Sequence, residues 1–591
     1  MKLSKIYSNY PRKFRIVRFR DGLNVVLGRV QDPGAKKKDT HNLGKTLFAQ
    51  VIDFCLLKGK DPDFFLFKHS QFEDFTFFLE VRTQNGEYVT IRRSVKEGSK
   101  GSFKRHPTPD QDFAELPEQG WDHWNLPFDT AKKVLDGILD LKVVSPWSFR
   151  QAVSYSLRSQ RDYDEPFKLA KFAGSHSEWK PFLAHILGFD GQEVAKGYTI
   201  EEQITKLESE EKQLLASTSG IADTDQLRGQ LEIVEQEVKT IEDELAAFDF
   251  SPEDKRTTRE LVSRVDNRIV HLNEVRYGLT SDKARIQSAL DVRLSINLKS
   301  LQKIFKESLI YFSEQVTKDY SALEKFNKDL AEERDEYLRK DLVEIESQLV
   351  EINAELADLN GQRSTALASL TDAQSLSKYK RLTNQLVGRQ SDLETLRRLQ
   401  RILDELTAKR KEIKDKKAER EAVATSLEKS VNSPPARYKS IRTYFDQIAT
   451  KVIDQHANLF SRINKQGHLE FAVDILDKSA KPSSAGEGFS YGRLLCIAFD
   501  MAIIRAYISD SFPHFVYHDG LLETLDDRRK VSLIEVVREY CNLGLQHIIT
   551  VIDSELPTLA DGKKFAFEPD EIILTLTDEG NNGRLFKMPP W

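Results

Sequence analysis

The stretch DTHNLGKTLFAQVIDFCLL, residues 39–57, decides how the chain is read. Within it, Gly44-Lys45-Thr46 has the form of the end of a phosphate-binding loop. Such a loop turns backbone N–H groups at a helix N-terminus toward phosphate oxygens, neutralises them with a lysine and offers a hydroxyl to Mg2+. The pattern G-x-x-x-x-G-K-[ST] asks for an opening glycine where Asp39 stands. Upstream, NVVLG (24–28) predicts a strand, and Lys45-Thr46-Leu47 predicts the start of a helix running to residue 57. Gly28 is the candidate for the displaced glycine, with RVQDPGAKKKDT inserted between strand and helix. Asn42, Gly44, Lys45, Thr46 and Leu47 are the nucleotide-contact candidates. Lys36, Lys37 and Lys38 are either a solvated loop or extra phosphate contacts. GKT after one strand is a weak signal, so the reading depends on residues far downstream.

Bulk properties narrow the field. The 591 residues are 39% hydrophobic and 31% charged, a charge content that suits long solvated helices. Lys and Arg number 88 against 93 Asp and Glu, for a net charge of −5, so only a local patch could contact nucleic acid. The three cysteines, Cys55, Cys496 and Cys541, are scattered without C-x-x-C spacing, which suggests neither a disulfide framework nor zinc. No apolar run is long enough to span a membrane and no secretory h-region opens the chain. The expectation is a soluble, cytoplasmic protein.

Three zones follow one another. Residues 1–200 look globular and mixed: KLSKIYSN, FRIVRF and NVVLG read as strands, and FTFFLEVR and EYVTIRR alternate around Asn85-Gly86, a strong hairpin signal. Residues 201–432 change character. Leu227, Leu231, Val234, Val238, Ile241 and Leu245 step alternately by four and three, as do Leu342, Ile345, Leu349, Ile352, Leu356 and Leu359. Such rows keep an apolar seam on one side of a supercoiling helix. The spacing predicts an antiparallel coiled coil turning near 296–328, with DFSPEDK (249–255) and the Gly361 region interrupting its arms; a bundle of solvated helices is the plainer reading. Residues 433–591 are globular again, with HLEFAVDI, HFVYHD, QHIITVI and EIILTL as strands.

The C-terminal zone carries three further motifs in order. SSAGEGFSYGRLLCIAFDMAII contains Ser484, Gly486 and Glu487 ahead of a long helix. HFVYHDGLLETLD (514–526) has a short apolar strand ending at Asp519, followed by Leu525-Asp526. QHIITVI (546–552) then supplies another strand.

The series of phosphate loop, heptads, S-x-G-E, acid-ended strand and Leu-Asp pair resembles the SMC/RecN-like ABC-type ATPases over the whole chain. THNLGKT, IDFCL, SFRQAVSYSLRSQRDYDEPF (148–167) and YHDGLLETLD resemble most the SMC-like ATPase of bacterial ABC-three-component or Lamassu-type antiphage systems. The resemblance implies an α/β ABC-type ATPase head, a mixed sheet with flanking helices, split by a long antiparallel α-helical coiled coil. It implies ATP and Mg2+ as ligands and a head-to-head dimer. In that dimer Lys45 and Thr46 of one copy and Ser484, Gly486 and Glu487 of the other sandwich ATP, and Asp526 meets the partner head. Thr46 and Asp519 would hold Mg2+, and Gln151 is the candidate for the glutamine that couples nucleotide to the arms. DNA or its ends, a small middle component and an effector nuclease are the implied partners.

Two positions depart from the pattern. Gly520 stands where the water-polarising glutamate belongs and Ile552 where a histidine would be, which leaves Glu523 and His518 as candidates beside Asp519. Basic residues cluster in TIRRSVKEGSKGSFKRH, where Arg92, Arg93, Lys96, Lys100, Lys104 and Arg105 are the DNA-contact candidates, or simply a solvated face. The function expected is an ATP-operated DNA sensor or clamp. The alternatives are a RecN-like repair or recombination ATPase and a structural coiled-coil scaffold with a vestigial ATP site.

Overall fold

The computed structural model describes residues 1–29, 44–170, 172, 176–217, 224–248, 257–291, 314–368, 373–477, 479, 481–483 and 489–589. The chain divides into two compact units, one built from Met1–Glu201 with Ala418–Trp591 and one from Glu202–Lys417.

The first unit holds the strands β1 (Lys2–Ser8), β2 (Val17–Arg18), β3 (Leu23–Arg29), β4 (Thr76–Arg82), β5 (Tyr88–Ser94), β6 (Lys100–His106), β7 (His123–Pro127), β8 (Leu157–Arg158), β9 (Ala457–Ile463), β10 (Leu469–Leu476), β11 (Pro482–Ser483), β12 (Phe515–His518), β13 (Gln546–Ile552) and β14 (Ile572–Thr577). A five-stranded sheet runs β14-β3-β13-β12-β8, with every neighbouring pair parallel. Parallel sheets are covered on both faces, so their strands read as unbroken apolar runs. LNVVLGR and QHIITVI are such runs, and every residue of β13 is buried. The N-terminal β3 lies between two C-terminal strands, so neither chain segment forms this sheet alone. Gly28 sits inside the ladder, opposite Ile552 and Leu576, so β3 runs past the expected end-of-strand glycine.

The two segments are tied again at β1. The Gln546 amide accepts from Leu3 N–H at 2.8 Å and donates to the Leu3 carbonyl at 2.8 Å and the Arg20 carbonyl at 2.9 Å. An antiparallel sheet of order β2-β1-β4-β5-β6-β7 stands beside this junction. Its β4–β5 hairpin turns at Gly86, whose φ of +84° is the left-handed conformation that an Asn-Gly pair admits. FRIVRF forms only the short β2 and a single bridge from Phe14 to Phe586, not the long strand expected. Conversely, KGSFKRH (100–106) is a strand that the density of basic residues disguises: Gly101 and Phe103 point inward while Lys100 and Lys104 alternate with them.

The second unit is helical. The helix Thr224–Ala246 buries Leu227, Leu231, Val234 and Val238 against Leu393, Leu399 and Leu403 of the helix Ala373–Asn432. The helix Thr257–Asp291 buries Val265, Ile269 and Leu272 against Leu356 of the helix Glu314–Ala368. Ion pairs flank the seams: Arg397–Glu235, Arg389–Glu237, Arg268–Glu355, Lys283–Glu346 and Arg410–Glu211. Partner numbers rise on one side as they fall on the other, so the helices run antiparallel. Gly361 does not interrupt its arm, because the helix continues to Ala368. A Cβ at Gly361 would meet nothing within 4 Å, so its cost is only the ~1 kcal/mol of helical glycine. The expected break at 249–255 and most of the expected turn at 296–328 lie outside the described residues.

Gln546→Ala should loosen the junction of the two segments. It leaves buried backbone groups of β1 unpaired, each costing about 1–3 kcal/mol. A lower urea midpoint with unchanged α-helical signal in water is the expected reading.

Candidate functional site

The C-terminal ends of β3, β8, β12 and β13 share one edge of the parallel sheet, where open α/β sheets form their ligand crevice. The helix Lys45–Cys55 starts there. Its N-cap is Gly44, at φ +96°, with no side-chain cap. A Cβ at Gly44 would lie 3.0 Å from Leu585 Cβ, so both backbone and space require glycine. No acidic residue lies in the helix's first turn. The dipole's positive end therefore goes uncompensated by a side chain of the helix itself.

Asp519 follows β12 and is fully buried. The Thr46 hydroxyl donates to its Oδ2 at 2.8 Å and the Thr550 hydroxyl to its Oδ1 at 2.6 Å. Thr550 Oγ1 in turn accepts from Gly520 N–H at 2.8 Å. The loop and the acid-ended strand, 473 residues apart in sequence, are thus joined by one hydrogen bond. Burial pushes the Asp519 carboxyl up, against the hydrogen bonds from Thr550 and Thr46 and the charge of Lys45. Lys45 is buried and its ammonium pKa is lowered by desolvation, while Glu555, Asp519 and Glu523 pull it back. Burial, then the charge of Glu523, raises Glu555. One ammonium therefore sits among three carboxylates, a balance that added negative charge at the helix N-terminus would upset unless a cation came with it.

Thr46 and Asp519 offer a hydroxyl and a carboxylate on one point. Among the described residues no group of three or more His, Cys, Asp or Glu could hold a metal. That sparse set fits Mg2+, which keeps water and takes most of its remaining ligands from phosphates.

The other sequence candidates fall out as follows. Glu523 reaches the site, its Oε1 accepting from Gln160 Nε2 at 2.8 Å and its Oε2 from Arg493 Nη1 at 2.6 Å. His518 does not, because consecutive strand residues face opposite sides. Its ring is fully buried, Nε2 lying 3.1 Å from Asp500 Oδ2 and Nδ1 2.8 Å from His547 Nε2. Since the Asp500 carboxylate only accepts, His518 donates through Nε2 and accepts at Nδ1 from His547. Arg158 clasps the same Asp500 from Nε at 2.6 Å and Nη2 at 2.8 Å. The catalytic assignment of His518 is therefore corrected to a core role.

Gln151 is also corrected. Its amide faces the Glu178 carbonyl at 3.5 Å, and the glutamine that reaches the crevice is Gln160. The signal that could have found Gln160 was its position just past β8, the neighbour of β12. Arg493 carried no pattern in the sequence, whereas Asp553, Ser554 and Glu555 stand just past the strand QHIITVI, where the sequence reading is either a γ-phosphate contact or a solvated loop end. Leu47 is half-buried in the helix's first turn, and exposed Asp526 caps the helix Asp527–Asn542 by accepting from Arg529 N–H at 3.0 Å. Asn42, Ser484, Gly486 and Glu487 lie outside the described residues.

The basic set divides. Arg93 is fully buried, donating to the Phe54 carbonyl at 2.5 Å and the Gly98 carbonyl at 2.7 Å, and so is out of reach of DNA. Lys100 pairs with Glu97 and Lys104 with Asp122, each at 2.8 Å. Arg92 lies 4.2 Å over the Trp124 ring, while Lys96 and Arg105 are exposed. Among the described residues no helix is long and apolar enough to cross a membrane.

Strand order and the Thr46–Asp519 contact define the class of the first unit: an α/β head whose phosphate-loop-like strand and helix come from one chain segment and whose acid-ended strand comes from the other. Residues 448–590 match a family described as an uncharacterised protein conserved in bacteria (DUF2326). No curated protein matches the chain. Among solved structures it is similar to the Smc head domain with a coiled coil and joint from Pyrococcus yayanosii, at 14% identity and a TM-score of 0.33, over 93% of this chain and 92% of that one. It is likewise similar to the Smc head with an extended coiled coil, bound to the C-terminal domain of ScpA, from Pyrococcus furiosus, at 12% identity and a TM-score of 0.35, over 94% and 90%. The recombination mediator RecF with ATP matches at 7% identity and a TM-score of 0.26, over 95% and 93%. Scores this low carry no argument about the class, which rests on the contacts described.

The histidine pair makes stability depend on pH. Burial lowers the pKa of His518, against the pull of Asp500, and lowers that of His547 far more, with the charge of His518 adding to it. Folded rings thus refuse protons that the unfolded chain accepts below about 6.5. Stability is complete above that pH and declines as pH falls through it, by up to about 1.4 kcal/mol per pH unit for each histidine. Urea midpoints at pH 7.5 and 5.5 should differ accordingly, and His547→Leu should flatten the difference.

Proposed function

We propose that the first unit binds ATP with Mg2+ and that ATP pinned between two copies switches the protein between open and paired heads. The Thr46–Asp519 hydrogen bond carries this reading, because it joins the hydroxyl and the carboxylate that Mg2+-triphosphate needs. Lys45 would meet phosphate charge, the N–H groups of residues 45–47 would face its oxygens, and Thr46 and Asp519 would hold Mg2+. Bound Mg2+ supplies charge neutralisation of the triphosphate. A vestigial site is the weaker alternative, since a scaffold gains nothing from burying Asp519 among raised carboxyls around a desolvated lysine.

The helical unit, read as a coiled-coil arm, would transmit the change of state, and residues 484–487 of a second copy would complete the site. With DNA as the cue, the protein is a sensor or clamp. Within the antiphage reading it governs a nuclease through a small middle component. A RecN-like repair ATPase is the alternative and requires faster turnover.

Lys45→Ala tests the core of the proposal. Removing a charge-assisted interaction of about 1.5–3 kcal/mol should weaken fluorescent-ATP binding roughly 10- to 100-fold. It should also abolish ATP-induced dimerisation in size-exclusion chromatography; unchanged dimerisation would refute the switch.

DNA contact is proposed for Arg92, Lys96 and Arg105. The double change Lys96→Glu/Arg105→Glu should lower affinity and reduce the salt slope of binding by about 0.9 for each phosphate no longer neutralised. Lys104→Ala should leave the slope unchanged, because its ammonium is already paired with Asp122.

A further inference from the structure

The missing glutamate has a geometric explanation. Gly520 has φ +72°, and a Cβ built on it would lie 2.5 Å from Glu523 Oε1 and 2.7 Å from Glu523 Cδ. The Glu523 carboxylate therefore occupies the space that a side chain on residue 520 would enter, so a Cβ there would displace it, and the left-handed backbone itself favours glycine. The turn is bent to bring it there: Glu523 N–H donates to the Gly520 carbonyl at 3.3 Å, and Thr524 has φ +71°. A β-branched residue in the left-handed region is costly, and such strain persists where the surroundings enforce it.

Two side chains hold the carboxylate in place. Arg493 is 3% exposed and bridges Glu523 Oε2 at 2.6 Å and the Gly520 carbonyl at 2.7 Å with the same Nη1, its guanidinium lying 4.3 Å over the Tyr163 ring. Gln160 donates to Oε1 at 2.8 Å. Glu523 itself is 24% exposed, so water reaches it. It folds back against Gly520, the residue after Asp519, and its charge acts on Lys45, Asp519 and Glu555.

We infer that Glu523 is the water-polarising carboxylate of this site, relocated from residue 520, and that Arg493 and Gln160 are its positioning residues. This rests on the ATP-binding reading above. In the step it serves, a water oxygen bonds to the γ-phosphorus as the bond to the β–γ bridging oxygen breaks. ADP leaves with that electron pair, and Glu523 accepts the water's proton, which then passes to solvent. Arg493 belongs to the helix Phe489–Ala506, which opens directly after residues 484–488. A shift of that helix would therefore move the carboxylate.

The test is phosphate release from Mg2+-ATP by the full-length protein, alongside fluorescent-ATP binding and melting temperature. Glu523→Gln should lower kcat about 100-fold or more with binding unchanged within about twofold. Arg493→Lys keeps the charge but not the bridge, and should lower kcat about tenfold with KM unchanged and move the acid limb of the pH–kcat profile. Gly520→Ala, which alters no charge, should mimic it by displacing Glu523. Should an Arg493 variant melt early, Gln160→Leu provides the same readout from the surface. Turnover by Glu523→Gln at the wild-type rate overturns the inference, as does a wild type that binds ATP and releases no phosphate. Failure of the wild type to bind ATP overturns the underlying reading and this one together.

Discussion

The strand β3 enters the parallel sheet between β13 and β14, and everything at the crevice depends on that insertion. It places the start of the helix Lys45–Cys55 beside the end of β12, where Thr46 meets Asp519. Backbone ladders on both sides of β3, with the Gln546 clamp at β1, hold the two chain segments as one body. The long helical excursion between them costs little in closure, because the entropy of a loop grows only with the logarithm of its length.

Beneath the crevice lies a second, drier network. Arg158, Asp500, His518 and His547 are all buried, and each has a partner. Burial works against both charges of the Arg158–Asp500 pair, yet Asp500 holds the guanidinium pKa above its ordinary value and Arg158 holds the carboxyl below its own. Asp519 N–H donates to the Arg158 carbonyl at 3.1 Å, so this network fixes the backbone from which Asp519 projects. Above it the charges are less comfortable: Lys45, Asp519 and Glu555 all have pKa values shifted toward neutrality. Stable polar packing below and strained charge above is the arrangement expected where a binding site is built on a rigid sheet.

Much of this is legible in the sequence wherever a period or a turn residue has one physical meaning. The β4–β5 hairpin at Asn85-Gly86, the apolar runs of β3 and β13, and the rows through Leu227 and Leu356 all appear where the pattern puts them. The departures share a cause as well. Charge alone suggests a DNA contact for Arg93, but strand alternation turns it inward, where backbone carbonyls and the Phe54 ring accommodate a guanidinium. Nearness to Asp519 in sequence suggests a catalytic His518, but on a strand the adjacent residue faces the opposite side. The sequence suggests Gln151, but its amide faces the Glu178 carbonyl, and it is Gln160, just past β8 and beside β12, that bonds Glu523.

The sequence by itself determined the apolar periods, the glycine at the left-handed cap of residue 44 and the order of the motifs along the chain, because these are local requirements of backbone conformation and side-chain spacing. Tertiary structure alone decided which residues meet. A glycine after Asp519 reads in the sequence as a missing carboxylate, yet in three dimensions it is the space into which Glu523 folds back. Contacts between residues far apart in the chain, such as Thr46 with Asp519 or Arg493 with Glu523, depend on sheet order and helix placement, which no local pattern encodes.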